Sequence, residues 1–324
     1  MILLYHLAAV TLAYVLDLLV GDPKSWPHPV RWMGAMIAAF DRRWNNGSHQ
    51  KLKGMVMTGT VVLTAALITA VTVYGAYSLH PVAGVIWEAI LIASALAQKS
   101  LKEAAIEVYE PLSKGDLGEA RLRLSYIVGR DTDQLGEAEI VRGTVETVAE
   151  NTSDGITAPL FWGAIGGASF ALAYRAINTC DSMVGYRNEK YRDFGWASAR
   201  LDDLVNWIPS RLTALMMLIS MKARESSLKT IWQITLRDAP KHPSPNSGWC
   251  EAATAAILGI QLGGINYYKG LISDRAKMGE PLSPLTSKHI IQSISLMQRS
   301  SLSFLLLLWV SGIPIALLVP FSIK

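Results

Sequence analysis

The stretch Met55-Val-Met-Thr-Gly-Thr-Val-Val-Leu-Thr-Ala-Ala-Leu-Ile-Thr-Ala-Val-Thr-Val-Tyr-Gly-Ala-Tyr-Ser-Leu-His-Pro-Val82 carries no Asp, Glu, Lys or Arg, and the apolar run continues to Ala97 past a single Glu88. On either side of His80-Pro81 it is long enough to cross about 30 Å of hydrocarbon. A membrane hairpin is predicted, returning the chain to the side it left. Further apolar stretches run from Ile2 to about Leu16, Ile156 to Ile177 and Leu302 to Val319, with a weaker one from Leu204 to Met221. The first lacks the basic start and A-x-A site of a signal peptide and is expected to be retained. The expected fold is all-α: one polytopic membrane-embedded domain over 1–324 with about 4 to 6 transmembrane or re-entrant helices. Helical cytosolic segments fill its polar loops 21–54, 98–155, 178–203 and 222–301.

Composition agrees. Hydrophobic residues make up 51% and charged residues 17% of 324, against about 25% charged in soluble domains, and mean hydropathy is +0.27. A net charge of +4 does not call for nucleic acid, because no basic stripe interleaved with aromatics exists and cytoplasmic loops of membrane proteins are basic. Loop 21–54 holds Lys24, Arg31, Arg42, Arg43, Lys51 and Lys53, and loop 222–301 holds ten basic residues, among them Arg237, Lys241, Lys269 and Arg275. Both are expected in the cytosol, and the hairpin puts 98–155 there too. Cys180 and Cys250 are too few for a disulfide framework and are expected to be reduced thiols.

The stretch 178–203 resists this scheme. Full crossings by Ile156 to Ile177 and Leu204 to Met221 would export Arg187, Lys190, Arg192 and Arg200, against the rule that places basic residues inside. Both segments are also defective as spans, the first through Pro159, Gly163, Gly166 and Gly167, the second through Asn206, Pro209 and Arg211. Broken helices are tolerated at membrane depth when buried in protein. Two arrangements follow: full crossings, or a re-entrant pair that keeps every polar motif on one side.

Between the spans, residues 99–110 and 116–128 read as a helix pair with Asp116 as N-cap, and a third helix runs from about Gly136 to Asn151. No sustained alternation of apolar residues predicts a sheet. In the third helix Glu146 and Glu150, followed by Asp154, stand four residues apart. Each such step turns about 40° past a full circle, so the three share a face and repel unless neutralised. Arg142, one step back, is one candidate for that; a divalent cation is another; a solvated face ending in an Asp-Gly cap is the plainer alternative. Arg130, Asp131, Asp133 and Asn151 lie close by in sequence.

Three further polar clusters stand out. Gly21 to Gly34 sets three prolines around His28 and Arg31, with Trp26 and Trp32 as possible interfacial anchors. Asn178 to Arg211 mixes Asp181, Asp202 and Asp203 with Arg187, Lys190, Arg192 and Arg200, cations suited to phosphate. Arg237 to Glu251 is a Pro-rich turn running into a helix capped by Asn246 or Ser247. There is no phosphate-binding glycine loop, no H-E-x-x-H, and only six scattered histidines, so zinc is disfavoured. What remains is oxygen ligands with Arg and Lys, the set suited to Mg²⁺ and phosphate.

The motifs Gly21-Asp-Pro with Pro27-His-Pro-Val-Arg-x-Met-Gly34, Val145-Glu-Thr-Val-Ala-Glu-Asn-Thr-Ser-Asp-Gly155, Asn178-Thr-x-Asp-Ser-Met-x-Gly-Tyr186, Arg200-Leu-Asp-Asp203 and Ser244-Pro-Asn-Ser-Gly-Trp249 together resemble the adenosylcobinamide-phosphate synthase family, CobD or CbiB. The resemblance spans nearly the whole chain. It implies a multi-pass enzyme of the bacterial inner membrane, with its site on the cytoplasmic side, that joins a propionate carboxylate of adenosylcobyric acid to aminopropanol or its O-phosphate. ATP and Mg²⁺ are the implied cosubstrate and cofactor, and other corrinoid-pathway enzymes are candidate partners. On that footing Glu146, Glu150 and Asp154, with Asp181, Asp202 or Asp203, are expected to hold Mg²⁺. Arg130, Arg142, Asn151, Asn178, Arg187, Lys190, Arg192, Arg200 and Asn246 are expected to bind phosphates or substrate, with His28 as base or positioning donor and Arg31 holding another anionic group. A corrinoid transporter and a non-catalytic scaffold are the alternatives.

Overall fold

The computed structural model describes residues 2–23, 28–220 and 227–318. Lys24, Trp26 and Pro27 of the first motif, Met221 and Val319 lie outside them. Helices α1 (Ile2–Leu19), α2 (Pro29–Trp44), α3 (Gln50–Leu79) and α4 (Pro81–Ala93) are followed by α5 (Gln98–Ser113), α6 (Leu117–Ser125) and α7 (Glu137–Thr152). A π-helical turn, Ser153–Thr157, leads into α8 (Ala158–Val184), and α9 (Trp196–Val205), α10 (Trp207–Ser220), α11 (Leu228–Asp238) and α12 (Ser247–Leu258) come next. Strands β1 (Leu262–Tyr268) and β2 (Leu271–Met278) precede α13 (Lys288–Leu318).

Among the described residues five stretches are long and apolar enough to cross a membrane: Ile2–Leu19, Gln50–Leu79, Pro81–Ser113, Glu137–Val184 and Lys288–Leu318. The helical multi-pass fold read from hydropathy is therefore present. The hairpin turns where expected, because Pro81 cannot continue α3 and His80 Nδ1 accepts from Val82 N at 3.2 Å to start α4. Within the described residues the weaker stretch from Leu204 is not among them. It breaks at Asn206, and α10 has 14 residues, about 21 Å of helix at 1.5 Å per residue. Asp116 caps α6 as predicted, accepting from Glu119 N at 3.0 Å.

The chain divides into two compact units. One comprises 1–99, 154–206 and 305–324, the other 100–153 and 207–304. In the first, Ile37, Met57, Val61, Leu172, Ala176, Cys180 and Phe194 form a buried core. In the second, Ala214, Met217, Ile231, Cys250, Ala253 and Leu296 do the same. Both cysteines are buried and neither is in a disulfide, in keeping with reduced thiols that pack as small hydrophobes.

Within the first unit α8 folds back on itself. Gly166 (φ −134°, ψ 23°) and Gly167 (φ 65°, ψ −159°) are not helical, and a Cβ on Gly163 would lie 3.7 Å from Ala171 Cβ, where eight residues of continuous helix would separate them by about 12 Å. Glu88 of α4 anchors the bend. Its Oε1 accepts from Ala168 N at 3.0 Å and lies 3.0 Å from His6 Nδ1, while Oε2 accepts from Tyr77 Oη at 2.7 Å. Only glycine fits at 167, since a Cβ there would come within 1.9 Å of Glu88 Oε1. The break lies within α8 itself, at the glycines that the sequence marked as defects of this span.

The absence of a sheet is corrected in the second unit. β1 and β2 pair antiparallel from Leu262↔Met278 to Tyr268↔Leu271. Lys269 (φ 52°) and Gly270 (φ 77°) make the two-residue turn with positive φ at both positions whose twist suits a hairpin. Gly263-Gly264 interrupts the alternation that would have marked the strand. Asp131 holds the turn, accepting from Lys269 N at 3.0 Å and Gly270 N at 2.8 Å, so that residue is structural.

Candidate functional site

In the second unit the site is built on α7, whose start is fixed by Glu139 accepting from Gly136 N at 2.8 Å. Glu146 and Glu150 lie one turn apart on this helix as predicted, whereas Asp154 falls in the π-helical turn after it, so the regular four-residue ladder ends at Glu150. Glu146 is neutralised by arginine. Its Oε2 accepts from Arg130 Nη2, its Oε1 accepts from Gly263 N at 2.9 Å, and Arg142 Nη1 stands 3.9 Å away. Arg142 also donates to the carbonyls of Gly263 and, at 2.8 Å, Ile265. Asn266 Oδ1 joins the two arginines, accepting from Arg130 Nη1 at 2.5 Å and Arg142 Nη2 at 3.1 Å.

The Pro-rich turn 242–246 meets the same helix. Ser244 Oγ accepts from Asn246 N at 3.2 Å and Ser247 N at 3.3 Å, satisfying donors at the start of α12. Ser247 Oγ is thereby aimed at Glu150 Oε1, to which it donates at 2.9 Å across 97 residues of sequence. One turn further along α12, Glu251 Oε1 lies 3.5 Å from His242 Nε2, both side chains being buried. Burial pushes the Glu251 carboxyl well above the usual range, and Glu146 and Glu150 push the same way. Burial lowers His242, opposed by Glu150. Asn246 Oδ1 accepts from Ser210 Oγ and Arg211 Nη1, each at 3.4 Å, with the Arg211 guanidinium 4.4 Å from the Trp207 ring centre and 4.9 Å from that of Trp249. Asn151 turns its amide to its own helix, donating to Thr147 O at 2.9 Å.

In the first unit the fold-back of α8 builds a second polar group. Tyr174 Oη donates to Asp154 O at 3.2 Å and Asn206 Oδ1 at 2.8 Å. Asn206 Nδ2 donates to Asp202 Oδ2 at 3.0 Å, and Asn178 Nδ2 to Asp202 Oδ1 at 3.4 Å. Burial, then the charge of Asp181, pushes the Asp202 carboxyl up to about 7. Asp203 is raised by burial against the pull of Arg200 and Arg187; Arg200 Nη1 stands 3.8 Å from its Oδ2. Lys190 donates to Asp41 Oδ2 at 2.9 Å, and Arg31, Arg187 and Arg192 are exposed. His28 caps α2, its Nδ1 accepting from Val30 N at 3.3 Å and its Nε2 lying 3.1 Å from Asp22 Oδ1.

Among the described residues no three His, Cys, Asp or Glu side chains are grouped so as to hold a metal ion. The sequence reading missed His242, Glu251, Tyr174, Asn206 and Asn266. Of these, His242 and Glu251 bound a motif already singled out, and their one signal is the spacing that sets Glu251 four residues after Ser247 on α12.

A protein family described as CobD/Cbib protein matches residues 10–297. Cobalamin biosynthesis protein CobD of Halalkalibacterium halodurans is 55% identical over 308 residues, covering 95% of this chain and 97% of its own. The CobD protein of Synechocystis is 45% identical over 292 residues, covering 86% and 84%. Cobalamin biosynthesis protein CbiB of Salmonella typhimurium is 46% identical over 301 residues, covering 92% and 94%. No solved structure matches.

Proposed function

The chain belongs to the CobD/CbiB family of cobalamin biosynthesis proteins, and from that premise we propose that it is the amide synthase joining aminopropanol, or its O-phosphate, to a propionate carboxylate of adenosylcobyric acid. In this reading it works in the bacterial inner membrane with its site facing the cytosol. The carrying observation is the Ser247 to Glu150 hydrogen bond at 2.9 Å, which joins two motifs about 100 residues apart around a buried group of Glu146, Glu251 and His242.

The chemistry asks for such a group. A carboxylate does not condense with an amine in water, because its oxygen leaves poorly. Transfer of a phosphoryl group from ATP to the carboxylate makes an acyl phosphate; the amine then attacks its carbonyl carbon, and phosphate and a proton leave. Arginines at the phosphoryl oxygens and an acceptor for the ammonium proton supply what these steps need. Arg130 and Arg142 are the cations held in place. Glu251 with His242 is a buried pair able to take up a proton and belongs to the same unit as Glu146 and Glu150, whereas His28 caps α2 in the other unit.

As a dedicated Mg²⁺ cage the carboxylates do not fit. Glu146 already accepts from Arg130 and Gly263 N, and Mg²⁺ wants an octahedron of oxygens. An ion entering on nucleotide phosphates needs only one or two carboxylates, and Glu150 is the candidate in this unit. Such an ion would offset phosphate charge.

The test is mass spectrometry of the purified full-length protein with adenosylcobyric acid, amine, ATP and Mg²⁺. The mass of the new amide is expected; corrinoid binding without that product rejects the reading. The broken α8 favours one alternative, a corrinoid transporter, since broken helices carry substrate sites in transporters. Reconstituted vesicles accumulating labelled corrinoid without amide formation would establish it instead.

A further inference from the structure

We propose that Asn266, with Arg130 and Arg142, forms a buried subsite for an oxyanion, a phosphate or carboxylate group of a small molecule. Asn266 is 1% exposed, and its Oδ1 accepts from both guanidinium groups. Turning the amide over would face its N–H groups against N–H donors, so its orientation is settled by its neighbours. Its Nδ2 is then a buried donor without an acceptor among the described residues. Buried donors in folded proteins are met by an acceptor, and an orphan points to a ligand or water.

Charge selects the ligand. Two guanidinium groups share one carboxylate, Glu146, whose two oxygens are taken by Arg130 and Gly263 N. Arg142 otherwise donates to neutral oxygens of Gly263, Ile265 and Asn266. At Arg142 the positive fields of Arg130 and Arg275 add, opposed first by Glu146 and then by Glu139. A small oxyanion would meet together the orphan donor and the Arg142 guanidinium, which Glu146 meets only at 3.9 Å, and a planar guanidinium suits phosphate or carboxylate.

At Gly264 an added Cβ would meet ordinary contacts and no clash. The atoms nearest to a Cβ there would be Arg142 Nη1 at 3.7 Å and Lys277 Cε at 3.9 Å, so the space borders one buried and one exposed cation. Strand β1 contributes Gly263, Gly264 and Asn266 to this subsite. That the oxyanion belongs to a substrate of amide synthesis rests on the function proposed above; the subsite itself does not.

Asn266→Asp tests it. The aspartate keeps an acceptor for both arginines but puts an oxygen where the orphan donor stood. Full-length protein in detergent is titrated separately with inorganic phosphate, aminopropanol O-phosphate, free aminopropanol, ATP and adenosylcobyric acid, with the unfolding midpoint recorded for both forms. At least one phosphate or carboxylate compound is expected to bind the native protein and to lose tenfold or more in N266D, without a lower midpoint and with free aminopropanol unaffected. The compound affected identifies the source of the oxyanion. Equal affinities in both forms, or no oxyanion binding to the native protein, overturns the subsite and leaves its donor to a buried water only. Amide formation alongside equal affinities would leave the synthase reading standing, and oxyanion binding lost in N266D by a protein that makes no amide would do the reverse.

Discussion

Tyr174 Oη donates to the backbone carbonyl of Asp154 at 3.2 Å, twenty residues back along the chain. In a straight helix the two would stand about 30 Å apart. The reversal at Gly166 and Gly167 brings them together; the same hydroxyl donates to Asn206 Oδ1, and Asn206 Nδ2 in turn donates to Asp202.

Gly167→Ala is expected to break this reversal. The added methyl must adopt a φ of 65° and approach Glu88 Oε1 to 1.9 Å, a clash that places the loss above about 3 kcal/mol. Thermal unfolding in detergent checks it, and an unchanged midpoint would refute the bend.

Glu88→Gln and Glu88→Leu separate hydrogen bonding from packing at the same place. Glutamine still accepts from Ala168 N and is expected to be mild. Leucine leaves Ala168 N and Tyr77 Oη unmet, costing about 1–3 kcal/mol for each group. Equal midpoints for the two variants would contradict the anchoring role.

Arg130→Met should destabilise by about 3–5 kcal/mol, because it leaves Glu146 charged and buried without its main partner. The double variant R130M/E146L is expected to recover part of that loss. Additive losses in the cycle would show that the two side chains do not act as a pair.

Asp202 gives a pH signature. Its folded carboxyl is pushed up to about 7, above the ordinary value near 3.9. The folded state therefore binds the proton more tightly, and this contribution is whole below about pH 4 and fades as pH rises to about 7. Asp202→Asn mimics the protonated form and should flatten stability across that window, as chemical denaturation at a series of pH values would reveal. An unchanged slope in the variant would place the titration elsewhere.

Ser247→Ala removes the donor to Glu150, with about 1 kcal/mol lost from folding and a larger proportional fall in amide formation. Initial rates set against the folded fraction tell the two apart; rates falling only with the folded fraction would make the bond structural.

Much of this fold was legible from local features. The Met55 to Leu79 run, the proline at 81 and Asp116 ahead of an amphipathic segment each carry their own instruction, because hydropathy and capping act over a few residues. The β1–β2 hairpin was not legible, since Gly263-Gly264 erases its alternation and its turn is held by Asp131 from far away in sequence. The expectation that a cation neutralises Glu146 was open in the sequence, where only Arg142 stood within a helical turn; Arg130 comes from the preceding loop and could not be paired by spacing.

The sequence by itself determined a helical multi-pass membrane chain and the motifs that place it in its family, because burial of apolar surface is additive and can be summed along the chain. The tertiary structure alone decided that α8 turns back on Glu88, that Ser247 reaches Glu150, and that Asn266 spans two arginines with its Nδ2 unmet among the described residues. Those facts depend on partners many residues apart, where a buried polar group takes whichever acceptor or donor the fold brings within about 3 Å.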